Sequence, residues 1–316
     1  ILAFEERGGG LFAPGYLVAV DQDIGAVVIA LRGTSSPADA LSDLTCRPQP
    51  IQLGGHDGLS HDGMFRAAQR LEGPLAAISE QGLAALYPGT RPRIVLTGHS
   101  LGAGVASLVA ALWRDGGRFP RASVECVAFA CPQVLDADLA LAQSNHTTTI
   151  IVGDDLVPRF SLATAHDLRN AMLLLIEPEA GGLPESVSMD ALAAAEARGD
   201  SRALADAYAT LRPRACTSEG RLYPPGRLVH LPGPGAAPRH LEHRDLDELH
   251  VSRDMAAVHM PRRYLLAIQA AAAAKNPAQA PSSEPLPLAP AQPTADVAVN
   301  PAKRPRDGPP VASSNL

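Results

Sequence analysis

The sequence predicts an α/β fold with a mostly parallel central sheet and helices on both faces. Short apolar runs recur along the chain and are typical of strands buried on both faces. Stretches with a helical pattern separate these runs between residues 63 and 152, and such alternation is typical of α/β sheets. A hydrophobic content of 46% over 316 residues is enough for a sizeable core, in one large domain or two small ones.

The chain opens with two predicted strands, at residues 16–21 and 25–31, joined by a short turn. The second is nearly all apolar, so we expect both of its faces to be buried. Pro37 is typical of a first helical turn and predicts a short helix over residues 38–44. Residues 46–60 are rich in Pro, Gly and Gln, and this composition predicts a loop.

The middle of the chain alternates between helices and strands. We expect helices over residues 63–86 and 136–143. Runs rich in Ile, Val, Leu and Thr predict strands at residues 93–97, 123–130 and 147–152. This stretch is the main reason to expect parallel strands connected by helices.

The pattern loosens over residues 163–225, which predicts an insertion in the core fold. An Ala-rich stretch with helical spacing covers residues 188–211 of this insertion. A strand is expected at residues 227–231 and a last helix at 261–274. The remaining residues, 275–316, are rich in Pro, Ala and Ser and are expected to form a disordered tail.

Composition excludes several classes of function. The net charge is −6 and no basic stripe is present, so a nucleic-acid partner is not expected. The four cysteines form no Cys-x-x-Cys pair, which argues against a zinc site or a disulfide framework and favours a reducing compartment. No run of 18 apolar residues exists, so no transmembrane segment is expected within this chain, which starts at Ile1 rather than Met.

The most informative stretch is Gly98-His99-Ser100-Leu101-Gly102, between an apolar strand and a helix of small residues. Gly-x-Ser-x-Gly at such a junction is typical of a nucleophile elbow. Glycines let the tight turn close, and the serine hydroxyl then projects at a helix N-terminus, where free N–H groups favour negative charge. The pattern predicts Ser100 as a nucleophile; the alternative is a glycine-rich helix start with an inert serine.

A serine nucleophile needs a base and a carboxylate that orients the base. In α/β hydrolases the acid follows a core strand downstream of the elbow, where Asp154 and Asp155 stand here, and the pattern does not choose between them. His259 precedes the last helix, where the hydrolase histidine usually falls; the alternative for it is a helix cap. Three other histidines are expected to be solvated because their stretch is polar and charged: His240, His243 and His250.

An oxyanion hole needs two backbone N–H groups. We expect one from Leu101, the residue after the nucleophile. The second should come from a loop after an earlier strand, and Arg32-Gly33-Thr34-Ser35 is the best candidate because Gly33 lets the backbone approach closely. An ordinary turn at the end of a strand is the alternative.

Several separate motifs, in the same order along the chain, resemble the fungal-type class 3 lipases. They are Arg32-Gly33-Thr34 with Asp39 and Asp43-Leu44, His61-Asp62-Gly63-Met64, residues 98–104, and Asp155-Leu156-Val157-Pro158-Arg159. Two further segments resemble the sn-1-specific diacylglycerol lipases in particular: residues 222–227 and His259-Met260-Pro261. The resemblance spans roughly residues 16–269.

The resemblance implies an α/β-hydrolase fold with Ser100 as nucleophile. It selects Asp155, because the family aspartate stands three places before the proline of Asp-x-Val-Pro. It selects His259, because the family histidine precedes Met-Pro or Leu-Pro near the last helix. It also implies backbone N–H groups of Thr34 and Leu101 as the oxyanion hole.

The same resemblance implies hydrolysis of the sn-1 ester of a diacylglycerol at a membrane surface, on the cytoplasmic face. The alternatives are a triacylglycerol lipase or phospholipase A1 with the same triad, or a catalytically inactive lipase-like binding protein. The reaction needs no metal, and Ca²⁺ enters only because it is associated with some family members. Residues 1–274 would form the lipase-like domain, 46–60 a lid-like loop and 163–225 a regulatory insertion. The oligomeric state is left open. The aspartate that often precedes the family histidine is Val258 here.

Overall fold

The centre of the protein is a sheet that is eight-stranded within the residues described by the computed structural model: 1–6, 14–33, 47–89, 91–179, 181–217, 219–233 and 236–275. All of these residues belong to one compact unit, Ile1–Ala280. In chain order the strands of this part of the chain are β1 (Ala3–Glu5), β2 (Tyr16–Asp21), β3 (Ala26–Leu31), β4 (Pro48–Leu53), β5 (His56–His61), β6 (Arg93–His99), β7 (Ser123–Phe129), β8 (Thr147–Val152), β9 (Arg227–Leu231) and β10 (Arg239–Leu241).

The α-helices of the described residues alternate with the strands in the first half and dominate the second half. They are α1 (Asp62–Ala84), α2 (Leu101–Asp115), α3 (Ala137–Ala142), α4 (Leu162–Ile176), α5 (Met189–Ala197), α6 (Ser201–Ala215), α7 (Met255–Val258) and α8 (Pro261–Lys275). The strands expected at residues 16–21, 147–152 and 227–231 are confirmed at those bounds, and the other expected sheet strands differ by at most two residues at an end.

The sheet order β1-β2-β3-β6-β7-β8-β9-β10 places five parallel strands side by side, β3, β6, β7, β8 and β9. The edge strands pair antiparallel. This is the predicted α/β-hydrolase arrangement, and its consequence is spatial. The carboxyl ends of the parallel strands meet at one edge of the sheet, where ligands bind in open α/β folds.

Helices cover both faces of the sheet because successive strand residues point in opposite directions. On one face, apolar side chains such as Leu96 and Cys126 pack in the main core with α1 and α2. On the other face, Phe129 and Ile150 pack around Tyr264 of α8. The last helix is thereby fixed across the carboxyl-terminal halves of β7 to β9.

The loop prediction for residues 46–60 is wrong, because the antiparallel hairpin β4–β5 occupies residues 48–61. Gly54 and Gly55 form its two-residue turn with φ of +61° and +76°, values that glycine adopts without strain and that suit a tight hairpin. The hydroxyl of Ser60 donates to the carbonyl of Val134 at 2.9 Å, so the hairpin is bonded to the body of the protein. The Pro-rich composition favoured a loop, but Pro is also tolerated in edge strands.

The predicted insertion contains three helices, α4 to α6, with a small apolar core of their own. Leu183, Val187 and Leu211 are buried in it. Its regulatory role stays a prediction. The helix expected over residues 38–44 and the tail over 276–316 lie outside the described residues. None of the described helices has both the length and the apolar content needed to cross a membrane.

Candidate active site

Ser100 stands at the sharp turn between β6 and α2. Its backbone has φ of +57° and ψ of −131°, a strained conformation for a residue with a side chain. The backbone N–H of Ser100 donates to the carbonyl of Phe129 at 3.0 Å, which holds the turn against the end of β7. The strain is concentrated where the sequence predicts a nucleophile elbow.

The glycines on either side of Ser100 are required by close backbone contacts. A Cβ atom on Gly98 would lie 2.4 Å from the carbonyl carbon of Gly102. A Cβ atom on Gly102 would lie 2.3 Å from the carbonyl oxygen of Leu31. Both distances are shorter than real Cβ contacts, so a larger residue at Gly98 would force β6 and α2 apart, and one at Gly102 would push the elbow away from β3.

The structure brings Ser100, His259 and Asp155 together. The Ser100 Oγ lies 3.0 Å from His259 Nε2, and His259 Nδ1 lies 3.1 Å from each carboxylate oxygen of Asp155. A carboxylate only accepts hydrogen bonds, so Nδ1 carries the proton and Nε2 is free to accept one from the serine. Asp154 lies apart: its Oδ1 is 3.8 Å from His250 Nδ1. The geometry therefore matches the acid that the resemblance selected.

Asp155 is fully buried and its charge is held by hydrogen bonds. Besides His259, it accepts the N–H of Val157 at 2.9 Å and the hydroxyl of Tyr264 at 2.6 Å. The Tyr264 side chain is 2% exposed and also accepts the N–H of Val152 at 3.2 Å. Burial raises the pKa of Tyr264 well above its usual range, so the hydroxyl keeps the proton that it donates.

Sequence reasoning missed Tyr264. Tyr264 is buried, whereas the next two large side chains of α8, Leu265 and Leu266, are exposed. A tyrosine five residues after the predicted base was the available signal, but nothing in the pattern showed that its hydroxyl reaches back to the acid.

His99, inside the elbow motif, is the second residue that the sequence did not assign. Its Nε2–H donates to the backbone carbonyl of His259 at 2.8 Å, and the two imidazole rings lie 4.7 Å apart between centroids. Burial, with a smaller contribution from His259, lowers the pKa of His99 to about 4. His99 is therefore neutral near neutral pH and holds the main chain of the base without competing for its proton.

The backbone around the expected oxyanion hole is only partly described. Leu101 is the first residue of α2, and N–H groups in a first helical turn have no intrahelical acceptor. A Cβ atom on Gly33 would lie 3.5 Å from Ser100 Cβ, so the end of β3 borders the nucleophile. Thr34 lies outside the described residues. Both oxyanion assignments, Thr34 and Leu101, stay predictions.

Two other histidines have structural contacts. The Nδ1 atom of His61 accepts the N–H of Met64 at 3.3 Å and so caps α1. His243, which was expected to be solvated, is half-buried with its ring edge-on to Tyr223, and burial lowers its pKa. The solvated prediction for His243 is wrong because the polar stretch around it folds back onto the residues before β9.

Part of the chain that contains this site matches a known protein family. The family model described as lipase (class 3) matches residues 28–165. The chain carries a class 3 lipase domain. The match includes Ser100 and Asp155 and ends before His259. The inclusion of His259 in the site therefore rests on its hydrogen bonds to these two residues.

Two relatives of this chain carry informative names. Human diacylglycerol lipase-alpha is 31% identical over 239 residues, which cover 68% of this chain and 22% of that protein. Mouse diacylglycerol lipase-beta is 28% identical over 256 residues, 71% of this chain and 37% of that protein. The chain thus spans about a fifth to a third of their lengths. The solved triacylglyceride lipase of Rhizomucor miehei is 20% identical, with a TM-score of 0.42, over 51% of this chain and 60% of that one.

Proposed function

We propose that this protein is a serine lipase that hydrolyses the sn-1 acyl ester of a diacylglycerol to a monoacylglycerol and a fatty acid. The observation that carries the proposal is the continuous hydrogen-bonded series from Ser100 through His259 to Asp155 at a strained elbow. The class 3 lipase domain supports ester hydrolysis, and the two diacylglycerol lipases support the substrate class.

In the first step, Ser100 Oγ attacks the ester carbonyl carbon while its proton passes to His259 Nε2. The carbonyl oxygen becomes an oxyanion, and the predicted donors that stabilise it are the backbone N–H groups of Leu101 and Thr34. One such donor is worth about 3–4 kcal/mol in comparable hydrolases. Asp155 keeps the imidazole in the required tautomer and stabilises the imidazolium.

Collapse of this intermediate breaks the bond to the glycerol oxygen. His259 gives its proton to that oxygen, and the monoacylglycerol leaves an acyl group on Ser100. A water molecule then attacks the acyl carbon, with His259 as base, and releases the fatty acid. This chemistry requires no metal ion, and any role of Ca²⁺ rests on the family resemblance alone.

The substrate's two acyl chains place it in a lipid surface, so we propose that the protein works at a membrane surface on the cytoplasmic face. The proposal leaves the oligomeric state open. Nothing in the charge or motifs of the chain calls for a nucleic-acid partner.

The test is hydrolysis of 1-stearoyl-2-arachidonoyl-glycerol in detergent micelles, with products identified by mass spectrometry. Wild type should release stearate and 2-arachidonoyl-glycerol, and Ser100→Ala should lower kcat by at least about 10⁴-fold. Ser107→Ala is the matched control. It removes a buried serine hydroxyl from the same helix, one that donates to the Gly104 carbonyl at 2.8 Å, and should retain turnover.

Other outcomes contradict specific parts of the proposal. Release of arachidonate alone would refute the sn-1 assignment. Absence of turnover with fluorophosphonate labelling of Ser100 would show an active serine with another substrate, such as a triacylglycerol or a phospholipid. Absence of both in folded protein would favour the inactive binding protein, because only an activated serine reacts with the probe.

A further inference from the structure

Two short stretches of chain flank His259 and combine exposed apolar residues with arginines. We define six of these residues as the docking rim: Val251, Arg253, Met260, Arg262, Arg263 and Leu266. The apolar members are strongly exposed for their type, with Val251 at 67%, Leu266 at 50% and Met260 at 43%. Exposed large apolar side chains grouped with basic ones are typical of surfaces that contact membranes.

The rim lies beside the catalytic residues along the chain, and residues next to it contact the loop of Asp155. Met260 directly follows His259, and the two arginines that follow it stand in the first turn of α8. On the other side, the Nδ1 of His250 lies 3.8 Å from Asp154, and the carbonyl of Met255 accepts the N–H of Leu156 at 3.4 Å. The stretch with Val251 therefore passes the loop that carries Asp155.

The arginines of the rim are available to an external anion. All three are exposed, and none of them forms an ion pair with any carboxylate in the described part of the chain. Residues 251–266 contain a single acidic residue, Asp254, in a chain whose net charge is −6. The rim is thus a local positive region on an acidic protein.

On these grounds we propose that the docking rim binds an anionic lipid bilayer and thereby holds the chain segment that carries His259 against it. The arginines would contact lipid phosphates and carboxylates, while Val251, Met260 and Leu266 would enter the interfacial region. The inference rests on the proposed function, since a diacylglycerol reaches Ser100 from a lipid surface.

A second exposed apolar stripe favours this assignment by contrast. Met172, Leu173 and Ile176 are exposed on α4, but the chain continues directly into Glu177 and Glu179. These acidic residues stand at a helix C-terminus, where the helix dipole is also negative. α4 also carries the exposed Arg169 before this stripe, so its charge is mixed. The docking rim has three arginines and a single nearby acid, so charge complementarity to an anionic bilayer is greater there.

The experiment measures partition of the full chain onto vesicles, in a Ser100→Ala background so that binding is read without turnover. A wrong substrate assignment then leaves this test intact. Vesicles of pure phosphatidylcholine are compared with an equimolar mixture of phosphatidylcholine and phosphatidylserine. We expect preference for the mixed vesicles, weakened by added salt. Combined substitution Arg253→Gln, Arg262→Gln and Arg263→Gln should lower the partition coefficient on the order of 100-fold, about fivefold for each arginine.

Two control variants separate the rim from other positive charge. Arg91→Gln with Arg121→Gln removes exposed arginines before β6 and β7, at the opposite edge of the sheet from Ser100, and should bind like the parent. Lys303→Gln with Arg304→Gln and Arg306→Gln neutralises the basic cluster of the tail and should also retain binding.

The proposal is overturned by equal binding to both vesicle types, by parent-like binding of the rim variant, or by loss of binding in either control. Equal thermal midpoints establish that the variants are folded. If the triple variant does not fold, the single change Arg262→Gln must still give about a fivefold loss.

Discussion

Replacement of Tyr264 by phenylalanine tests how the acid of the site is held. The substitution removes one oxygen atom and keeps the ring, so packing with Phe129 and Ile150 is retained. It deletes the 2.6 Å hydrogen bond to Asp155 and leaves the buried N–H of Val152 without its hydroxyl acceptor.

The magnitude follows from these two contacts. A hydrogen bond to a charged group contributes about 1.5–3 kcal/mol, and a buried donor left without a partner costs about 1–3 kcal/mol. Because such terms are not additive, we expect the free energy of unfolding to fall by about 3 kcal/mol in total. At roughly 2–4 °C per kcal/mol for a large domain, the Tm should fall by roughly 6–12 °C.

The kinetic effect should be smaller and confined to kcat. Asp155 keeps the N–H of Val157 and remains paired with His259, so the base is less firmly oriented but not lost. We expect kcat to fall about tenfold with KM unchanged, since Tyr264 acts through Asp155.

The matched control is Tyr208→Phe. The Tyr208 hydroxyl donates to Glu248 at 2.6 Å in an exposed position, so the same chemical change should cost less than about 1 kcal/mol. Denaturant unfolding and steady-state kinetics would be measured for both variants. Equal loss of stability in the two, or an unchanged kcat in Tyr264→Phe, would refute the role assigned to the buried hydroxyl.

Two further predictions concern the elbow and pH. Gly102→Ala should abolish turnover and lower the Tm, because its Cβ would lie 2.3 Å from the Leu31 carbonyl oxygen. Gly73→Ala, at another helical glycine where the added Cβ meets nothing within 4 Å, is the control and should keep normal kinetics. Normal kinetics in Gly102→Ala would contradict the packing argument. The free energy of unfolding should fall as the pH is lowered from 6.5 towards about 4. Burial lowers the pKa of His99 and His146 from 6.5 to about 4 in the folded protein. Between these pH values the unfolded chain therefore binds more protons than the folded one, which favours unfolding. Denaturant titrations across that range should show a smaller pH dependence in His146→Gln than in wild type, and an identical dependence would exclude His146 as a source.

The sequence predicted the parts of the fold that depend on local pattern. Apolar runs located the parallel strands, and Gly98 to Gly102 marked the elbow, because a strained turn between strand and helix tolerates few residue types. The hairpin of residues 48–61 was not predicted, although Gly54-Gly55 is itself a turn signal, because the Pro and Gly content of these residues is also typical of a loop.

The local sequence pattern does not show which histidine and which aspartate belong to the site. Ten histidines stand in the chain, and the resemblance to class 3 lipases, not spacing, selected His259 and Asp155. The structure sets these residues in contact with each other and with Ser100 across 104 and 159 residues of sequence.

By itself, then, the sequence determined the parallel strands of the sheet and the elbow and predicted Ser100 as the nucleophile, since each is specified by neighbouring residues. Only the tertiary structure decided that Tyr264 bonds the acid and that His99 holds the main chain of the base. Their roles arise when α8 packs across β7 to β9 and carries side chains from distant parts of the sequence into hydrogen-bonding range. Such contacts depend on burial and direction in space, which no local sequence pattern records.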